Sequence, residues 1–255
     1  MITFKNVIDE IIAQLVVIKH LPKQPEKKFM LFARGRSGSG LLRSLINSHP
    51  DIYCDVEVYL HRKALFPRHY LNNKSRIAMR KVYGYKAKPR QLERQYKNPE
   101  KVLSKFFTDD YKIIYLYRTN IFRQALSGLI GSQRQKWHDK KAGALAGKQF
   151  YIDSKELLNS MGVLEQVIER EREMIKDRTF LPVSYEDDLF DERNHQQTLD
   201  RVFNFLGVES VPVSTKIVRT TTDNISDFVE NHDEVIEAVK NSKYAAFLDQ
   251  SPANG

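Results

Sequence analysis

A short glycine-rich segment between an apolar run and a helical pattern restricts the fold of this chain more than any other feature. Phe29–Ala33 are all apolar, as in a buried strand, and apolar residues recur at helical spacing over Leu41–Ile46. The segment between them, Arg34–Gly40, is mostly glycine and serine. Small residues allow several backbone N–H groups to point into one concavity, and the start of the following helix adds positive charge. The sequence therefore predicts a strand, an anion-binding loop and a helix in succession.

The rest of the chain repeats this alternation of strands and helices. Ile113–Tyr117 form a second apolar run, followed by a helical pattern that begins near Asn120. Shorter strands are predicted at Ile52–Cys54 and Phe180–Ser184, and a further helix begins at Asp153–Glu156, which fit a capping box. Strands that are apolar throughout are typical of parallel sheets covered on both faces. We therefore predict a three-layer α/β fold with a central parallel sheet flanked by helices.

The chain is long enough for one large domain, and no strong linker divides it. It has 255 residues, of which 41% are hydrophobic, and a domain commonly has about 100–200 residues. We expect a single domain over residues 1–255. The least regular part, about residues 60–108, is predicted to be an insertion at the edge or mouth of the sheet.

Positive charge is concentrated in that region. The whole chain has a formal net charge of +9, whereas Leu60–Lys105 contain fourteen basic and two acidic residues. Such a block attracts anions, which include nucleic acids, phosphorylated cofactors, anionic lipids and sulfated glycans. A solvated basic surface accounts for the same composition, so the block by itself leaves these alternatives open.

Cysteine content and hydropathy favour a cytoplasmic protein. Cys54 is the only cysteine, which excludes an intramolecular disulfide and a cysteine-rich metal site. A helix that spans a bilayer needs about 18 consecutive uncharged apolar residues, and no stretch of this sequence is that long. The most apolar N-terminal run, Ile8–Ile18, includes Asp9 and Glu10, so it predicts an amphipathic helix and not a signal peptide.

The glycine-rich loop departs from two common nucleotide-binding patterns. Gly35 and Gly40 have the spacing of a nucleotide triphosphatase loop, but Leu41 and Leu42 stand in place of its lysine and its metal-binding hydroxyl. Arg118 follows the second apolar run, where an aspartate would hold Mg²⁺. We therefore expect no metal. The glycine order also differs from the G-x-G-x-x-G of dinucleotide folds. Asp55 and Glu57, after the predicted strand Ile52–Cys54, could still act as the ribose-binding acid of such a fold, which keeps that alternative open.

Arginines take the place of such a metal site in this chain. Arg34 and Arg36 lie inside the loop, and Arg118 follows another strand. Ligands of open α/β sheets bind outside the carboxyl ends of the strands. These arginines, the loop amides and the hydroxyl of Ser127 are therefore expected to converge on one ligand with an anionic group at each end of a nucleoside.

Five segments, in order, resemble those of a known enzyme family. Phe32–Leu42 resembles the 5′-phosphosulfate loop of sulfotransferases that use 3′-phosphoadenosine 5′-phosphosulfate (PAPS), and Lys112–Ser127 resembles their 3′-phosphate segment. Val183–Asp187, Phe203–Gly207 and Asn224–Asn231 are similar to later family segments. The resemblance implies a P-loop-like fold, PAPS as the donor and no metal.

One interval resembles a particular branch of that family. The spacing of nine positions between Arg118 and Ser127, with Gln124 between them and Trp137 and His138 beyond, is most similar to that of bacterial carbohydrate sulfotransferases related to the trehalose enzymes. The resemblance is weak over the basic insertion, which is therefore expected to lie on the acceptor side.

The resemblance also implies which residues bind the donor. The loop from Arg36 to Ser39 would bind the 5′-phosphosulfate, and Arg118 and Ser127 would bind the 3′-phosphate. With the flanking loop residues included, the predicted donor site is Arg34, Gly35, Arg36, Ser37, Gly38, Ser39, Gly40, Arg118 and Ser127. Gly40 departs from the family pattern, which usually has Thr or Ser there, so one hydroxyl contact to the phosphosulfate is lost.

Sulfuryl transfer needs a cation for the leaving group and a base for the acceptor. Arg36 is the predicted cation, because charge builds on the bridging oxygen as the bond breaks. Glu57, which closely follows the predicted strand Ile52–Cys54, is the predicted base, and the resemblance also places a catalytic glutamate there. Asp55 in the same turn is a rival, and His49 and His61 are weaker candidates.

The acceptor is predicted to be a carbohydrate or a glycolipid, with no nucleic-acid partner. Lys86, Trp137 and His138 are the predicted acceptor contacts, and Lys216 and Arg219 are candidates for a late loop over the nucleotide. The alternative is a basic protein that binds nucleic acid or an anionic surface without catalysis. The sequence makes no prediction of the oligomeric state.

Overall fold

A computed structural model of the protein contains a five-stranded parallel sheet. The structure describes residues 4–20, 22–58, 65–89, 91, 111–134, 148–217 and 224–249. The strands are β1 (Lys27–Ala33), β2 (Ile52–Glu57), β3 (Val82–Ala87), β4 (Tyr111–Tyr117) and β5 (Phe180–Ser184), and their order in the sheet is β2-β3-β1-β4-β5. The helices are α1 (Phe4–His20), α2 (Ser39–Ile46), α3 (Pro67–Ile77), α4 (Ile121–Arg134), α5 (Ser154–Ile175), α6 (His195–Leu206) and α7 (His232–Lys240).

Helices cover both faces of the sheet, which confirms the predicted three-layer α/β fold. Phe29 and Leu31 of β1 pack in a cluster with α2 and α6, whereas Met30 and Phe32 pack in a cluster with α1, α3 and α5. All four side chains are fully buried. Successive strand residues point to opposite faces, so burial on both faces explains why this strand is apolar throughout. A third cluster joins α4, α5 and α7.

The prediction that residues 60–108 form an insertion at the sheet edge is wrong for β3. This strand pairs with β1 on one side and β2 on the other, so it lies inside the sheet. Tyr83 and Tyr85 are fully buried, and Gly84 admits the ring of Phe29, which would lie 2.2 Å from a Cβ there. Tyrosines on either side of the glycine are a strand signal that the surrounding basic residues obscure. Residues 60–64, 90 and 92–108 of this region lie outside the described ranges.

Helix ends form where the sequence predicts them. The side chain of Asp153 accepts a hydrogen bond from the backbone N–H of Glu156 at 2.9 Å, which caps α5. The side chain of Asn120 accepts from the N–H of Arg123 at 2.9 Å and caps α4 in the same way. No helix in the described part of the chain has both the length and the apolar composition needed to cross a membrane.

Candidate functional site

The loop between β1 and α2 has the tight backbone that an anion-binding turn needs. Gly38 adopts a φ of 84°, and a Cβ there would lie 2.5 Å from the ring of Tyr185, so only glycine fits. Arg36 also has a positive φ, of 62°, which is costly for a residue with a side chain. Ser37 closes the turn by donating its hydroxyl hydrogen to the carbonyl of Arg34 at 2.9 Å. Strain of this kind collects at ligand sites, where the surrounding structure enforces it.

Helix α4 holds this loop against the end of β4. The side chain of Gln124 donates to the carbonyl of Gly35 at 2.6 Å, and Nε of Arg36 donates to the hydroxyl of Ser127 at 2.9 Å. Nη1 of Arg118 donates to the carbonyl of Arg36 at 3.4 Å. The structure therefore brings Arg36, Arg118 and Ser127 together, although 82 residues separate the two arginines in sequence.

Like charges surround Arg36. Burial of its guanidinium, followed by the charges of Arg118 and Arg134, lowers the pKa of Arg36. The charge of such a group is stabilised by an anion and destabilised by the two neighbouring arginines. Arg134 is one of the site residues that the sequence analysis missed. It lies seven residues after Ser127, which places both on one face of α4, and that spacing is a signal that could have revealed it.

Arg118 is oriented by the turn that follows β5. Its Nε lies 3.2 Å from the carboxylate of Glu186, and its guanidinium lies 4.7 Å from the centre of the Tyr185 ring. Glu186 also accepts from the backbone N–H of Thr119 at 2.9 Å and of Asn120 at 3.3 Å. The carboxylate thus joins the start of α4 to β5, and it fixes the direction in which Arg118 leaves β4.

Arg34 has a different environment from Arg36. It is 4% exposed, and its Nη1 lies 3.4 Å from Oε2 of Glu171 in α5, which also accepts from the hydroxyl of Tyr115 at 3.0 Å. Within the described residues, Nε and Nη1 of Arg34 and Oε1 of Glu171 have no hydrogen-bond partner. Burial raises the pKa of Glu171 to about 7, against the opposing effects of Arg34 and Tyr115. The direct role of Arg34 in donor binding stays a prediction.

The free energy of unfolding should fall as the pH rises through the titration of Glu171. The folded protein holds the proton up to a pH of about 7, whereas the unfolded chain releases it near the ordinary value of 4.5. Between these values the folded state binds more protons, so rising pH costs up to about 3 kcal/mol of stability. Urea unfolding at pH 5 to 8 should show that Glu171→Gln gains most of this amount of stability relative to wild type as the pH rises. A difference that stays constant with pH would contradict the buried acid.

Glu57 lies in a cluster of basic and polar side chains at the carboxyl ends of β2 and β3. Its Oε1 accepts from Nζ of Lys86 at 2.8 Å and from Nζ of Lys88 at 2.9 Å, and its Oε2 accepts from the amide of Gln91 at 2.5 Å. A register shift between Asp55 and Glu57 brings Glu57 beside Lys86 of β3. A β-bulge of this kind redirects a side chain, and sequence alternation alone does not reveal it.

The charges of this cluster are matched to one another. Burial opposes ionisation of Glu57, but the hydrogen bonds and charges of Lys86 and then Lys88 outweigh it and lower the pKa of Glu57. Burial lowers the pKa of Lys86, and Glu57 opposes that shift. Glu57 is therefore a carboxylate at neutral pH, as a proton acceptor must be.

The rival bases have structural partners. Asp55 is buried, accepts from the hydroxyl of Tyr83 at 3.3 Å and lies 3.2 Å from Nζ of Lys74. His49 is also buried, with Nδ1 accepting from the N–H of Asp51 at 3.0 Å and Nε2 lying 3.0 Å from a backbone carbonyl. His61, the other candidate base, lies outside the described ranges. So do Trp137 and His138, the predicted acceptor contacts, and Arg219, a candidate for the late loop over the nucleotide.

The arginine loop and the Glu57 cluster lie on the same side of the sheet, the side where its parallel strands have their carboxyl ends. The arginine loop follows β1, Arg118 follows β4 and the Glu57 cluster lies at the ends of β2 and β3, all on the carboxyl side of parallel strands. With neighbouring strands about 4.8 Å apart, the backbone at the end of β2 lies about 10 Å from that of β1. Among the described residues, no group of three or more His, Cys, Asp and Glu side chains is arranged to hold a metal ion.

The structure is similar to solved structures of sulfotransferases, the family that the sequence motifs resemble. The sulfotransferase from Alicyclobacillus acidocaldarius is 13% identical, with a TM-score of 0.49 over 90% of this chain and 97% of that chain. Mouse sulfotransferase SULT7A1 complexed with PAP is 15% identical, with a TM-score of 0.48 over 91% of each chain. The sulfotransferase domain of the Synechococcus PCC 7002 olefin synthase is 15% identical, with a TM-score of 0.40 over 89% and 88%. No protein-family model matches the sequence, and no curated protein matches it.

Proposed function

We propose that this protein is a sulfotransferase that moves a sulfuryl group from PAPS to a hydroxyl group of an acceptor. The observation that carries the proposal is the meeting of Arg36, Arg118 and Ser127 at the carboxyl edge of the sheet. The two arginines follow the ends of two strands and Ser127 lies in α4, so together they supply positive charge and a hydroxyl where open α/β sheets bind their ligands, which suits a ligand with more than one anionic group. PAPS is such a ligand, with a phosphosulfate at one end of the nucleoside and a phosphate at the other.

The electrostatics of the loop support a polyanionic donor. Arg36 is buried among the charges of Arg118 and Arg134, and a bound polyanion would relieve their mutual repulsion. The start of α2 at Ser39 adds N–H groups that favour the same charge. We assign the 5′-phosphosulfate to Arg36 and the loop amides, and the 3′-phosphate to Arg118 and Ser127.

Three side chains divide the chemical work of the proposed transfer. Bound PAPS supplies an activated sulfuryl group on a phosphate leaving group. Arg36 stabilises the negative charge that develops on the leaving oxygen. Glu57 accepts the proton of the acceptor hydroxyl at a carboxylate oxygen, and Lys86 keeps that carboxylate ionised. No metal is needed for these steps, because the arginines supply the positive charge.

A carbohydrate or glycolipid is the acceptor that we propose. The support is the interval from Arg118 to Ser127, which resembles that of bacterial carbohydrate sulfotransferases. Trp137 and His138 are proposed acceptor contacts, together with Lys86, which borders the base. The cytoplasmic location of the protein stays a prediction.

Loss of the 3′-phosphate contact is the direct test of donor binding. Adenosine 3′,5′-bisphosphate at one hundred times its dissociation constant should stabilise the wild type by about 2.7 kcal/mol. Its melting temperature should therefore rise. Arg118→Ala should lose most of this shift, because the proposed site then lacks a cation for one phosphate. Arg193→Ala removes the same charge from an exposed side chain and should retain the shift. A full shift in Arg118→Ala would contradict the assignment of Arg118.

Sulfuryl transfer itself is tested with radiolabelled PAPS and a panel of sugars, glycolipids and simple alcohols. Labelled product from any of these hydroxyl compounds supports the proposed reaction, and the panel identifies the acceptor class. Nucleic-acid binding with a steep dependence on salt, without any bisphosphate shift, would favour the alternative of a basic binding protein.

A further inference from the structure

We propose that Gln91 is a positioning residue, which holds the carboxylate of Glu57 so that one oxygen is left to receive the acceptor proton. The proposal rests on the proposed function, in which Glu57 is the base. Gln91 is 5% exposed and donates its amide hydrogen to Oε2 of Glu57 at 2.5 Å.

The two oxygens of Glu57 have unequal partners. Oε1 accepts from both Lys86 and Lys88, whereas within the described residues Oε2 accepts only from Gln91. A carboxylate offers about four lone-pair sites, two on each oxygen. As far as the described residues go, both sites of Oε1 are therefore used and one site of Oε2 remains. The geometry points to Oε2 as the oxygen that takes the proton.

Gln91 is itself held in place at both ends. Its N–H donates to the carbonyl of Lys88 at 3.0 Å, and its side-chain oxygen lies 3.4 Å from the N–H of Lys88. Because Nζ of Lys88 binds Glu57, Gln91 and Lys88 form a closed ring of contacts with the carboxylate. A buried amide whose nitrogen and oxygen each have a hydrogen-bond partner has little freedom, so it fixes the rotation of the carboxylate it touches.

The lysines and Gln91 have different effects on the base. Lys86 and Lys88 contribute charge, which keeps Glu57 ionised. Gln91 is neutral, so its contribution is direction: it binds the oxygen opposite the lysines and prevents the carboxylate from turning that oxygen toward them. A substitution at Gln91 should therefore change turnover more than donor affinity.

Gln91→Glu is the most informative substitution, because it keeps the shape of the side chain and its acceptor oxygen but replaces the donating amide with a second carboxyl. Two carboxyls that share a site titrate as a coupled pair, with one pKa raised. We expect kcat at pH 7 to fall about tenfold or more, with KM for PAPS changed less than about twofold. The acid limb of the kcat profile should move toward neutral pH.

Gln91→Leu and Gln24→Glu complete the set of variants. Gln91→Leu removes the contact without adding charge, so it should lower kcat with little shift of the acid limb. Gln24→Glu adds the same charge at an exposed position before β1, toward the amino ends of the strands and away from Glu57, and should behave as wild type. If Gln91 served only to shape the turn, the folded fraction of each variant would account for its whole loss of activity and the pH profiles would superimpose.

A titration that needs no turnover separates this proposal from the proposed function. The ¹³C carboxyl signal of Glu57, assigned by its absence in Glu57→Gln, is followed with pH in wild type and in Gln91→Glu. A higher pKa of Glu57 in Gln91→Glu than in wild type supports the contact even if no sulfuryl transfer is found, and then only the proposed function fails. An unchanged titration together with unchanged kcat, in a wild type that does transfer sulfuryl groups, overturns the role of Gln91 and leaves the function standing.

Discussion

Glu57→Gln is expected to lower turnover by about 10²- to 10⁴-fold while donor binding is retained. The substitution keeps the size of the side chain, and the new amide oxygen can still accept from Lys86 or Lys88, whereas the new amide nitrogen cannot accept the hydrogen bond from Gln91. What is lost is the negative charge that accepts the proton of the acceptor hydroxyl. The measurement is the initial rate of transfer from radiolabelled PAPS to an acceptor that the wild type sulfates, beside the bisphosphate-induced shift in melting temperature.

The two acids near the end of β2 provide a matched comparison. Asp55 already serves Tyr83 and Lys74, so Asp55→Asn should cost stability and leave the turnover of the folded protein close to that of wild type. Retained turnover in Glu57→Gln with loss in Asp55→Asn would move the base from Glu57 to Asp55. Loss of the bisphosphate shift in Glu57→Gln would show instead that the variant damages the donor site.

Arg36→Met is expected to lower turnover by about 10²- to 10³-fold, the range found when a group that stabilises the developing charge is removed. Methionine approximates the length of the arginine stem but carries no charge, so the leaving oxygen loses its nearest proposed cation. The loss of stability in the free protein should be small, because the variant removes the hydrogen bond to Ser127 but also the repulsion that Arg118 and Arg134 exert on a buried guanidinium. Turnover and unfolding by urea therefore test the two consequences separately.

A surface variant distinguishes this effect from a general loss of positive charge. The Arg193 side chain is 76% exposed and pairs with Asp191, so Arg193→Met should leave turnover unchanged. Equal turnover in Arg36→Met and wild type would remove Arg36 from the chemistry. A loss of turnover accompanied by marked destabilisation would indicate that Arg36 supports the loop rather than the leaving group.

Local patterns in the sequence predict the elements that are set by neighbouring residues, whereas elements that depend on distant parts of the chain are not predicted by them. The apolar run before the loop, the caps at Asn120 and Asp153 and the glycine-rich turn all depend on neighbours within a few residues, and the structure confirms the elements that they predict. β3 depends on partners far along the chain. Its tyrosines are buried only because β1 and β2 lie on either side, so the basic residues around it were a poor guide.

The arginines show the same division within the candidate site. Composition and spacing single out Arg34, Arg36 and Arg118, but these side chains are equivalent in a sequence. The folded chain separates them, because Arg34 lies against Glu171 while Arg36 lies against Ser127 and within reach of Arg118. Arg134 joins this group through the periodicity of α4.

By itself the sequence determined that a strand, a small-residue turn and a helix follow one another, since each is set by side chains close together along the chain. Only the tertiary structure decided which acid could act with which cations. The bulge in β2 brings Glu57 beside Lys86, and the strand order places β1 between β3 and β4, so that the arginine loop and the carboxylate cluster share one edge. Strand order and register come from contacts between distant segments, whose energies no local pattern records.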